Sequence, residues 1–413
     1  MFISITSIIL IMIIDRPMDT RKIADSKKWV LVYGRRKTGK TFLVNNFIKY
    51  DEYFFVKNTG SILTKNNDSI SYESFIQIFS RALQDNKTVV VDEFHRLGKD
   101  FFDYLHFMKK SGKLILISST LFLSKKLISA KSALLGLFTE MPIGLIRLED
   151  CLSALKKIDL SKKEKLELAV LLREPIAIDY FEPKEGARKT IAKIISGSVK
   201  TIPALIGEIF LEEEREISAV YEGILRSIAS GKVGSGEISS YLFSKKLIKK
   251  DDPSIIQQYL NNLCAFGIIR RIGVFSKKRY IYKLTSPLAR IYYYADEKYN
   301  LSERKMSDGE LLRIIDELMP RIIEDSAREA LAEKNGLTET VIEAKDFEID
   351  GLLLKFKKPE IALEVKWGKI GEKEIRRVEE KLGKTQAKNK ILFVQDKTKI
   401  RSNIQTMDVE GLY

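Results

Sequence analysis

Residues 29–46 constrain the fold of this chain more than any other stretch. They begin with an apolar run of strand length, Trp-Val-Leu-Val-Tyr, continue as a loop with two glycines, and end in a segment with the apolar spacing of a helix. The loop consists of Gly34, Arg35, Arg36, Lys37, Thr38, Gly39, Lys40 and Thr41. A strand, a loop of the form Gly-x-x-x-x-Gly-Lys-Thr and a helix, in this order, are what a phosphate-binding loop requires.

The chemistry of this loop accounts for its residue types. Backbone N–H groups and the positive end of the following helix would point at one spot, where they can bind a di- or triphosphate such as ATP or ADP. Lys40 would reach the β- and γ-phosphates, and Thr41 would place its hydroxyl on Mg²⁺. Gly34 and Gly39 would adopt backbone geometry closed to residues with a Cβ. The alternative is an ordinary glycine turn that happens to contain Lys-Thr.

A second run, residues 88–94, reads Thr-Val-Val-Val-Asp-Glu-Phe. A β-branched run that ends in acids is typical of a buried parallel strand whose carboxyl end delivers acids to a ligand site. Asp92 would hold Mg²⁺ through its water shell, and Glu93 would act as a base or orient the attacking water. The alternative is an exposed strand end that carries solvated acids.

A third buried run, residues 113–117, is followed by Ser118, Ser119 and Thr120. Hydroxyls at this strand end either touch the γ-phosphate or its water, or cap the next helix. We therefore add Ser119 to residues 34–41 as the expected nucleotide-binding set. Strand-like runs that alternate with helical segments predict an α/β domain with a parallel sheet.

The composition narrows the class of protein. A chain of 413 residues with 45% apolar and 31% charged residues is typical of a soluble globular protein with two to four domains. The net charge of +15 indicates a polyanionic partner, with nucleic acid the first candidate. Heat-adapted proteins reach basic compositions for unrelated reasons.

Cysteine and histidine are scarce. Cys151 and Cys264 lie far apart and without metal-like spacing, which favours a reducing cytosol, and hence a cytoplasmic location, over disulfides or a zinc site. The two histidines, His95 and His106, have no nucleophile signature nearby, so we expect no Ser-His-Asp or Cys-His mechanism.

Residues 1–14 form an apolar run. The run is too short to span a bilayer and lacks a basic region or a cleavage site, so we expect neither a membrane helix nor a secretion signal. Two readings remain open. The run is either a buried strand added to the sheet, or translation starts later, at Met12 or Met18.

Together, residues 34–41, 89–94 and 114–120, with Leu134-Leu135-Gly136 after them, resemble the archaeal ATPases of the AAA-like and STAND group of P-loop NTPases. The resemblance implies a helical lid beside the nucleotide, followed by a winged helix-turn-helix and a PD-(D/E)XK nuclease-like domain. The expected units are 1–17 (apolar leader), 18–147 (ATPase), 148–212 (lid), 213–295 (winged helix) and 296–413 (nuclease-like).

The chain departs from this family at two places. It has Ser118-Ser119 where the family has Gly-Ser, and Leu135-Gly136-Leu137 where the family has Tyr-Gly-Arg. The missing arginine implies that hydrolysis is slow or uses an arginine from a partner. A homo-oligomer is one source of such an arginine.

Residues 148–212 are helical and amphipathic, with expected breaks at Pro175, Pro183 and Pro203. Residues 219–284 then predict three helices and a β-hairpin, the pattern of a winged helix-turn-helix. The third helix starts sharply at Asp252 with a proline at its first position. It would enter the DNA major groove, with candidate contacts at Gln257, Gln258, Asn261 and Asn262.

The charge of this unit is one-sided. Its cations are Lys245, Lys246, Lys249, Lys250, Arg270, Arg271, Lys277, Lys278, Arg279 and Lys283, against Asp251 and Asp252. We favour DNA as the partner over a solvated face or a protein contact. Residues 296–305 are expected to be a charged linker, and Ser307 with Glu310 predicts a capping box that opens a helical pair.

The last candidate site is a pair of acids on neighbouring strands. Asp350 and the Glu-x-Lys formed by Glu364 and Lys366 lie in predicted strands 350–356 and 361–366, joined by 357–360. Glu364 and Lys366 share one face, which Asp350 joins if the hairpin loop has an odd number of residues. Two carboxylates and a lysine suit Mg²⁺-dependent phosphodiester cleavage.

With Glu324 in the preceding helix, this set resembles the PD-(D/E)XK nuclease superfamily. The resemblance implies Glu324, Asp350 and Glu364 as metal ligands, and Asp350, Glu364 and Lys366 as catalytic residues. We therefore expect a cytoplasmic multidomain protein that binds and hydrolyses ATP, acts on DNA and has no membrane partner. The alternatives are a nucleotide-switched regulator that cuts nothing, and a ring-shaped translocating motor.

Overall fold

The computed structural model of the protein describes residues 12–119, 136–182, 185–212, 218–343 and 348–413. Its strands form two seven-stranded sheets. The expected N-terminal strand concerns residues 1–11, which lie outside the described residues, and residues 12–16 have no regular structure. Within the described residues, no helix is both long and apolar enough to cross a membrane.

The first sheet holds the predicted phosphate loop. Its strands are β1 (Trp29–Tyr33), β2 (Glu52–Val56), β3 (Ile62–Thr64), β4 (Ser69–Ile70), β5 (Thr88–Asp92), β6 (Lys113–Ser118) and β7 (Phe138–Pro142). They lie in the order β4–β3–β2–β5–β6–β1–β7, and β2, β5, β6, β1 and β7 are parallel. The predicted parallel α/β sheet is confirmed, and the residues that follow β1, β5 and β6 meet at one edge.

Burial on both faces explains why these runs are continuously apolar. All five residues of β1 are buried. Trp29 and Leu31 pack into one apolar cluster with Phe75, whereas Val30 belongs to a second cluster with Leu43. The helices of this part are α1 (Pro17–Ala24), α2 (Lys40–Phe47), α3 (Tyr72–Gln84) and α4 (Lys99–Phe107).

Five helices follow the first sheet. They are α5 (Leu148–Leu155), α6 (Lys162–Leu172), α7 (Pro175–Ile178), α8 (Ala187–Gly197) and α9 (Thr201–Glu212). Pro175 is the first residue of α7, as a break there predicts. The break expected at Ile202-Pro203 lies a few residues earlier, at residues 198–200 between α8 and α9, and Pro203 lies in the first turn of α9, where a helix needs no N–H donor.

Three helices and a hairpin come next, in the predicted order. They are α10 (Ala219–Ala229), α11 (Ser235–Ser244), α12 (Pro253–Ala265), β8 (Ile269–Val274) and β9 (Tyr280–Leu284). The sharp start of α12 is confirmed, since the Asp252 side chain accepts a hydrogen bond from the Ser254 N–H.

The remaining elements continue the sheet that this hairpin begins. They are α13 (Pro287–Tyr299), α14 (Asp308–Asn335), β10 (Thr338–Glu343), β11 (Glu348–Lys355), β12 (Lys358–Lys366), α15 (Glu372–Gly383), β13 (Asn389–Val394) and β14 (Gln405–Met407), with 3₁₀ turns at Phe94–Arg96, Lys397–Lys399 and Val409–Leu412. The sheet order is β14–β13–β12–β11–β10–β8–β9. Because β8 pairs with β10, the units expected to separate at residue 296 share one sheet.

Two local predictions near this boundary are wrong. The expected linker begins inside α13, where Asp296 is buried and its carboxylate lies 2.7 Å from Arg226 Nη2. The helical pair expected after Ser307 is the single helix α14, which accommodates Pro320 in its interior. The capping box of Ser307 and Glu310 at its start is confirmed.

One large apolar cluster connects most of the elements after the first sheet, and two smaller clusters pack on the second sheet. The large cluster includes Ile146 next to α5, Leu225 in α10, Ile315 in α14, and Trp367 and Leu412 near the C-terminus. The Trp367 indole also donates a 2.9 Å hydrogen bond to Glu167 of α6. The five-helix segment therefore packs directly against the C-terminal region.

Candidate functional sites

The loop after β1 has the backbone that its glycines permit. Gly34 has φ +150°, and a Cβ built there would lie 2.2 Å from the Ile143 carbonyl oxygen, so any side chain would clash. Gly39 has φ +83° and is the N-cap of α2. Both positions need glycine, one for a close approach and the other for a left-handed turn.

Lys40 lies inside the loop that precedes it. Its Nζ donates hydrogen bonds of 2.8 Å to the carbonyl oxygens of Gly34 and Arg35, and its side chain is buried. The Thr38 hydroxyl also donates to the Arg35 carbonyl. A cation, a helix N-terminus and a tight loop thus converge where an anion can bind.

The two expected magnesium ligands are in contact. The Thr41 hydroxyl donates a 2.7 Å hydrogen bond to Asp92 Oδ2, and the Tyr53 hydroxyl donates one of 2.8 Å to the same oxygen. Burial raises the pKa of the Asp92 carboxyl, while these two hydrogen bonds lower it. Hard oxygen atoms from the first turn of α2 and the end of β5 therefore lie together, which suits Mg²⁺ bound mainly through water. Tyr53 was not predicted, because its role depends on β2 pairing with β5.

Glu93 and Ser119 are also brought together. The Ser119 hydroxyl donates a 2.9 Å hydrogen bond to Glu93 Oε2. Glu93 has a left-handed backbone with φ 55°, which turns its side chain at the end of β5. The predicted base is thereby contacted by the residue that directly follows the neighbouring strand β6.

His95 lies beside this acid, although sequence reasoning gave it no role. Its Nδ1 is 3.4 Å from Glu93 Oε2 and 3.1 Å from the Ser118 hydroxyl. Burial lowers the pKa of His95 to about 4, and the nearby charge of Glu93 only partly opposes this. The imidazole is therefore neutral near pH 7, where it can hydrogen-bond without adding charge.

The two arginines of the loop face acids of the helical segment. Arg35 Nη2 lies 2.9 and 2.8 Å from the two carboxylate oxygens of Glu174, and Arg36 lies 3.4 Å from Glu208. Their predicted contact with nucleotide stays a prediction. Arg16, which was not predicted, donates a 3.0 Å hydrogen bond to the Thr38 carbonyl.

A cavity of about 710 Å³ opens beside the loop. Its lining combines loop residues with apolar side chains from the N-terminal segment, α2 and the helical segment, including Lys37, Thr38, Gly39, Ile14, Phe42, Pro175, Ile176 and Leu205. An apolar pocket with a few polar groups at one end is the usual form of a cofactor site. Thr120, Leu134 and Leu135 of the family segments lie outside the described residues.

The second sheet places Asp350 opposite Glu364. Gly351 pairs with Leu363, so the next antiparallel pair in the same register is Asp350 and Glu364, and both side chains lie on one face. The connecting turn has only two residues, Phe356 and Lys357, rather than the predicted four. A β-bulge adds one residue to β12, because Leu353 pairs with Ile361 whereas Leu354 pairs with Pro359. This extra residue brings Asp350 and Glu364 opposite each other.

The contacts of these acids involve more than the predicted residues. Glu364 is buried, and its carboxylate oxygens lie 2.7 and 2.8 Å from Lys381 Nζ, while Lys366 Nζ is 3.1 Å from Oε1. Asp350 Oδ2 accepts a 2.8 Å hydrogen bond from the Val365 N–H. Lys381 was not predicted, since its position depends on how α15 packs on the sheet.

Electrostatics couple Asp350 to Glu324. Burial, with the charges of Glu324 and Glu364, raises the pKa of Asp350 to about 7. Burial and Asp325 raise the pKa of Glu324. As the described residues are arranged, no three or more His, Cys, Asp or Glu side chains form a metal-binding group. The oxygen chemistry suits Mg²⁺, but the two lysines occupy Glu364, and the predicted metal set stays a prediction.

Comparisons with known proteins agree with the fold of the part of the chain that contains the first sheet. Residues 26–142 match the model of the AAA domain family. An uncharacterized protein of Methanocaldococcus jannaschii is 23% identical over 388 residues, which cover 85% of each chain. The Walker-type ATPase of Pyrococcus abyssi superposes with a TM-score of 0.51 and 19% identity, covering 68% of this chain and 96% of that one. The matched domain and this likeness, together with the loop geometry, give residues 26–142 the fold of an AAA-type P-loop ATPase.

Proposed function

We propose that the protein binds ATP with Mg²⁺ at the loop of residues 34–41 and hydrolyses it. The observation that carries this proposal is the contact between Thr41 and Asp92, which joins the loop to the acid strand. The phosphates lie against the loop N–H groups, and Lys40 turns from the Gly34 and Arg35 carbonyls to meet them. The base and sugar occupy the cavity of about 710 Å³.

Thr41 and Asp92 would hold Mg²⁺, which neutralises charge on the phosphate oxygens. Glu93 orients the attacking water or accepts its proton, and Ser119 holds Glu93 in place. Leu137 stands where the family has arginine, so an arginine from a second copy of the chain or another partner completes the site. Without it, hydrolysis is slow.

Calorimetry and ATP turnover test this proposal. Lys40→Ala removes the cation of the loop and should abolish ATP binding with Mg²⁺ present. Glu93→Gln should keep binding and lose turnover, because the amide cannot accept a proton. Lys49→Ala, an exposed lysine just after α2, is the matched control. Absence of ATP binding by the wild-type protein would contradict the proposal, and normal turnover by Glu93→Gln would remove Glu93 from the mechanism.

We also propose that the unit formed by α10 to α12 and the β8–β9 hairpin binds DNA. Several of its cations are paired inside the chain: Lys245 with Glu297, Arg270 with Glu339, Arg279 with Glu343, and Lys283 with Asp325. Exposed cations remain at Lys246, Lys249 and Lys278. The exposed side of α12 carries Gln258 and Asn261, whereas the Asn262 amide donates to the Tyr221 hydroxyl.

Cleavage of DNA is a second candidate activity, favoured by the register that sets Asp350 against Glu364. With Lys381 and Lys366 displaced from the Glu364 carboxylate, Glu324, Asp350 and Glu364 would hold Mg²⁺, which would supply a Lewis acid. Lys366 would then steady developing negative charge. Nicking of supercoiled plasmid with Mg²⁺ tests this, and loss of nicking in Glu364→Ala and Lys366→Ala supports it. If the wild-type protein does not nick DNA, the result would favour the alternative, a nucleotide-switched regulator that cuts nothing.

A further inference from the structure

The turn between β11 and β12 has a backbone that its residues disfavour. Lys355 pairs with Lys358, so the chain reverses through Phe356 and Lys357 alone. Both have positive φ, 48° and 66°, as a type I′ turn requires. Such turns strongly prefer Asn-Gly, and a bulky side chain with positive φ is rare. Phe356 therefore does not serve the stability of the turn.

Phe356 does not serve the stability of the core either. It is 91% exposed, the most exposed of the large apolar side chains in the described part of the chain. Its ring lies at the tip of a hairpin, where residues 355–358, Phe356 among them, are all exposed. An aromatic ring kept in water on a disfavoured backbone indicates contact with something outside the chain.

The charge around this ring identifies the class of partner. Lys355, Lys357 and Lys358 flank Phe356, and no acid among the described residues forms an ion pair with any of them. Lys355 and Lys358 even lie opposite each other across the strands, where like charges repel. In the β8–β9 hairpin, in contrast, three of the six cations, Arg270, Arg279 and Lys283, are paired with acids of the chain.

We infer that the tip formed by Lys355, Phe356, Lys357 and Lys358 is a DNA contact at which the Phe356 ring stacks on a base. Three lysines bind the phosphates on either side, and one ring matches one base step. A single ring without apolar neighbours is too small to hold a membrane surface, which needs a larger apolar face. This inference rests on the proposed action on DNA and assigns it a second contact point.

The position of the ring relative to the acids follows from strand geometry. Phe356 lies six residues beyond Asp350 along β11 and its turn, which is about 20 Å at the rise of a β-strand. A duplex that runs along this hairpin would therefore be unstacked about six base pairs from Asp350 and Glu364. The tip thus sets where along the DNA the acid pair lies.

Base unstacking tests the inference directly. A short duplex carrying 2-aminopurine is titrated with the full-length protein, and its fluorescence should rise on binding because the probe leaves the stack. Phe356→Asn should abolish this rise and weaken binding about 10-fold, the usual scale of one aromatic–base stack. Asparagine tolerates positive φ, so this variant should melt at or above the wild-type temperature. Phe107→Asn removes another exposed ring, 88% exposed at the end of α4, and should behave as wild type.

Three outcomes overturn the inference. The first is a wild-type protein that binds the duplex without any fluorescence rise, and the second is a Phe356→Asn variant with the wild-type rise and affinity. The third is loss of binding to anionic vesicles in Phe356→Asn while DNA binding is unchanged, which would assign the tip to a lipid surface. A wild-type protein that does not bind the duplex at all would contradict the proposed action on DNA itself, whereas binding without the fluorescence rise contradicts only the contact at this tip.

Discussion

Asp150 lies outside both candidate sites, and burial makes the charged form of its carboxyl group unfavourable. It lies buried in the first turn of α5, and its Oδ2 has no hydrogen-bond partner among the described residues. Burial raises its pKa from 3.8 to about 6, against the opposing charges of Arg147 and Arg16. Because the folded state holds this proton more tightly, the resulting stabilisation is complete below about pH 4 and is lost as the pH rises through 6.

We predict that Asp150→Asn raises the melting temperature at pH 7.5, by about 2–4 °C, because the buried charge is removed. At pH 4.5 the gain should shrink, since the wild-type carboxyl is then mostly protonated. Thermal melts of both proteins at the two pH values provide the measurement. Asp159→Asn, an exposed acid nearby, should show no such pattern, and an equal gain at both pH values would exclude titration as the cause.

At the scale of elements, α15 is connected to β12 through one buried carboxylate. Glu364 is 2% exposed at its side chain, and Lys381 of α15 meets both of its oxygens while Lys366 meets one. Removing Lys381 leaves a buried charge with a single partner. Such a loss costs about 1.5–3 kcal/mol when the partner is charged.

A double-mutant cycle measures this connection. We predict that Lys381→Ala lowers the free energy of unfolding by about 1.5–3 kcal/mol, and that Glu364→Gln with Lys381→Ala costs less than the sum of the single changes. Urea unfolding of the four proteins gives the values. Lys373→Ala, an exposed lysine of the same helix, should be neutral. Additive single costs would show that Lys381 and Glu364 do not stabilise each other.

The two sites differ in how far sequence predicts them. Gly34, Lys40, Thr41 and Asp92 were predicted because a phosphate loop is local, and a strand that ends in acids needs only a neighbour in a parallel sheet. The pairing of Asp350 with Glu364 was left open, since it depends on the register of the hairpin. A regular two-residue hairpin would have paired Asp350 with Leu363, and only the bulge at Glu360 shifts the strand by one residue.

Contacts between distant segments escaped prediction for a related reason. Tyr53 reaches Asp92 because β2 lies next to β5, and Lys381 reaches Glu364 because α15 packs on β12. The expected linker at Asp296 looked like a charged surface segment, but Arg226 neutralises it inside the fold. Composition shows that charges are present, whereas only packing decides which of them are paired.

Considered as a whole, the molecule connects its two sites through a series of ion pairs. Arg35 of the phosphate loop pairs with Glu174, the adjacent Arg173 pairs with Glu329 of α14, Arg270 pairs with Glu329 and Glu339, and Arg328 pairs with Glu339 and donates to the Asp350 carbonyl. The link between Arg173 and Glu329 is bidentate, at 3.0 and 2.7 Å. This link joins the helical segment to α14. Arg173 is directly followed in the chain by Glu174, which contacts Arg35 of the loop.

We predict that ATP with Mg²⁺ slows hydrogen exchange in α14 and that Arg173→Lys removes this effect. Lysine keeps the charge opposite Glu329, so the fold is retained, but it cannot form the two parallel hydrogen bonds that fix α6 relative to α14. Exchange of α14 amides, followed by mass spectrometry with and without nucleotide, is the measurement. Because no residue of α14 lines the cavity beside the loop, slowing in α14 requires a connection through the chain.

Arg188→Lys is the matched control for this last prediction. Arg188 also joins the helical segment to α14, through an ion pair of 3.1 Å with Asp316, but it has no neighbour that contacts the phosphate loop in the way Glu174 does. It should therefore leave the nucleotide effect on α14 intact. Equal loss in both variants would indicate general loosening of the interface, and no nucleotide effect in the wild-type protein would mean that the ion pairs are structural and do not transmit the nucleotide state.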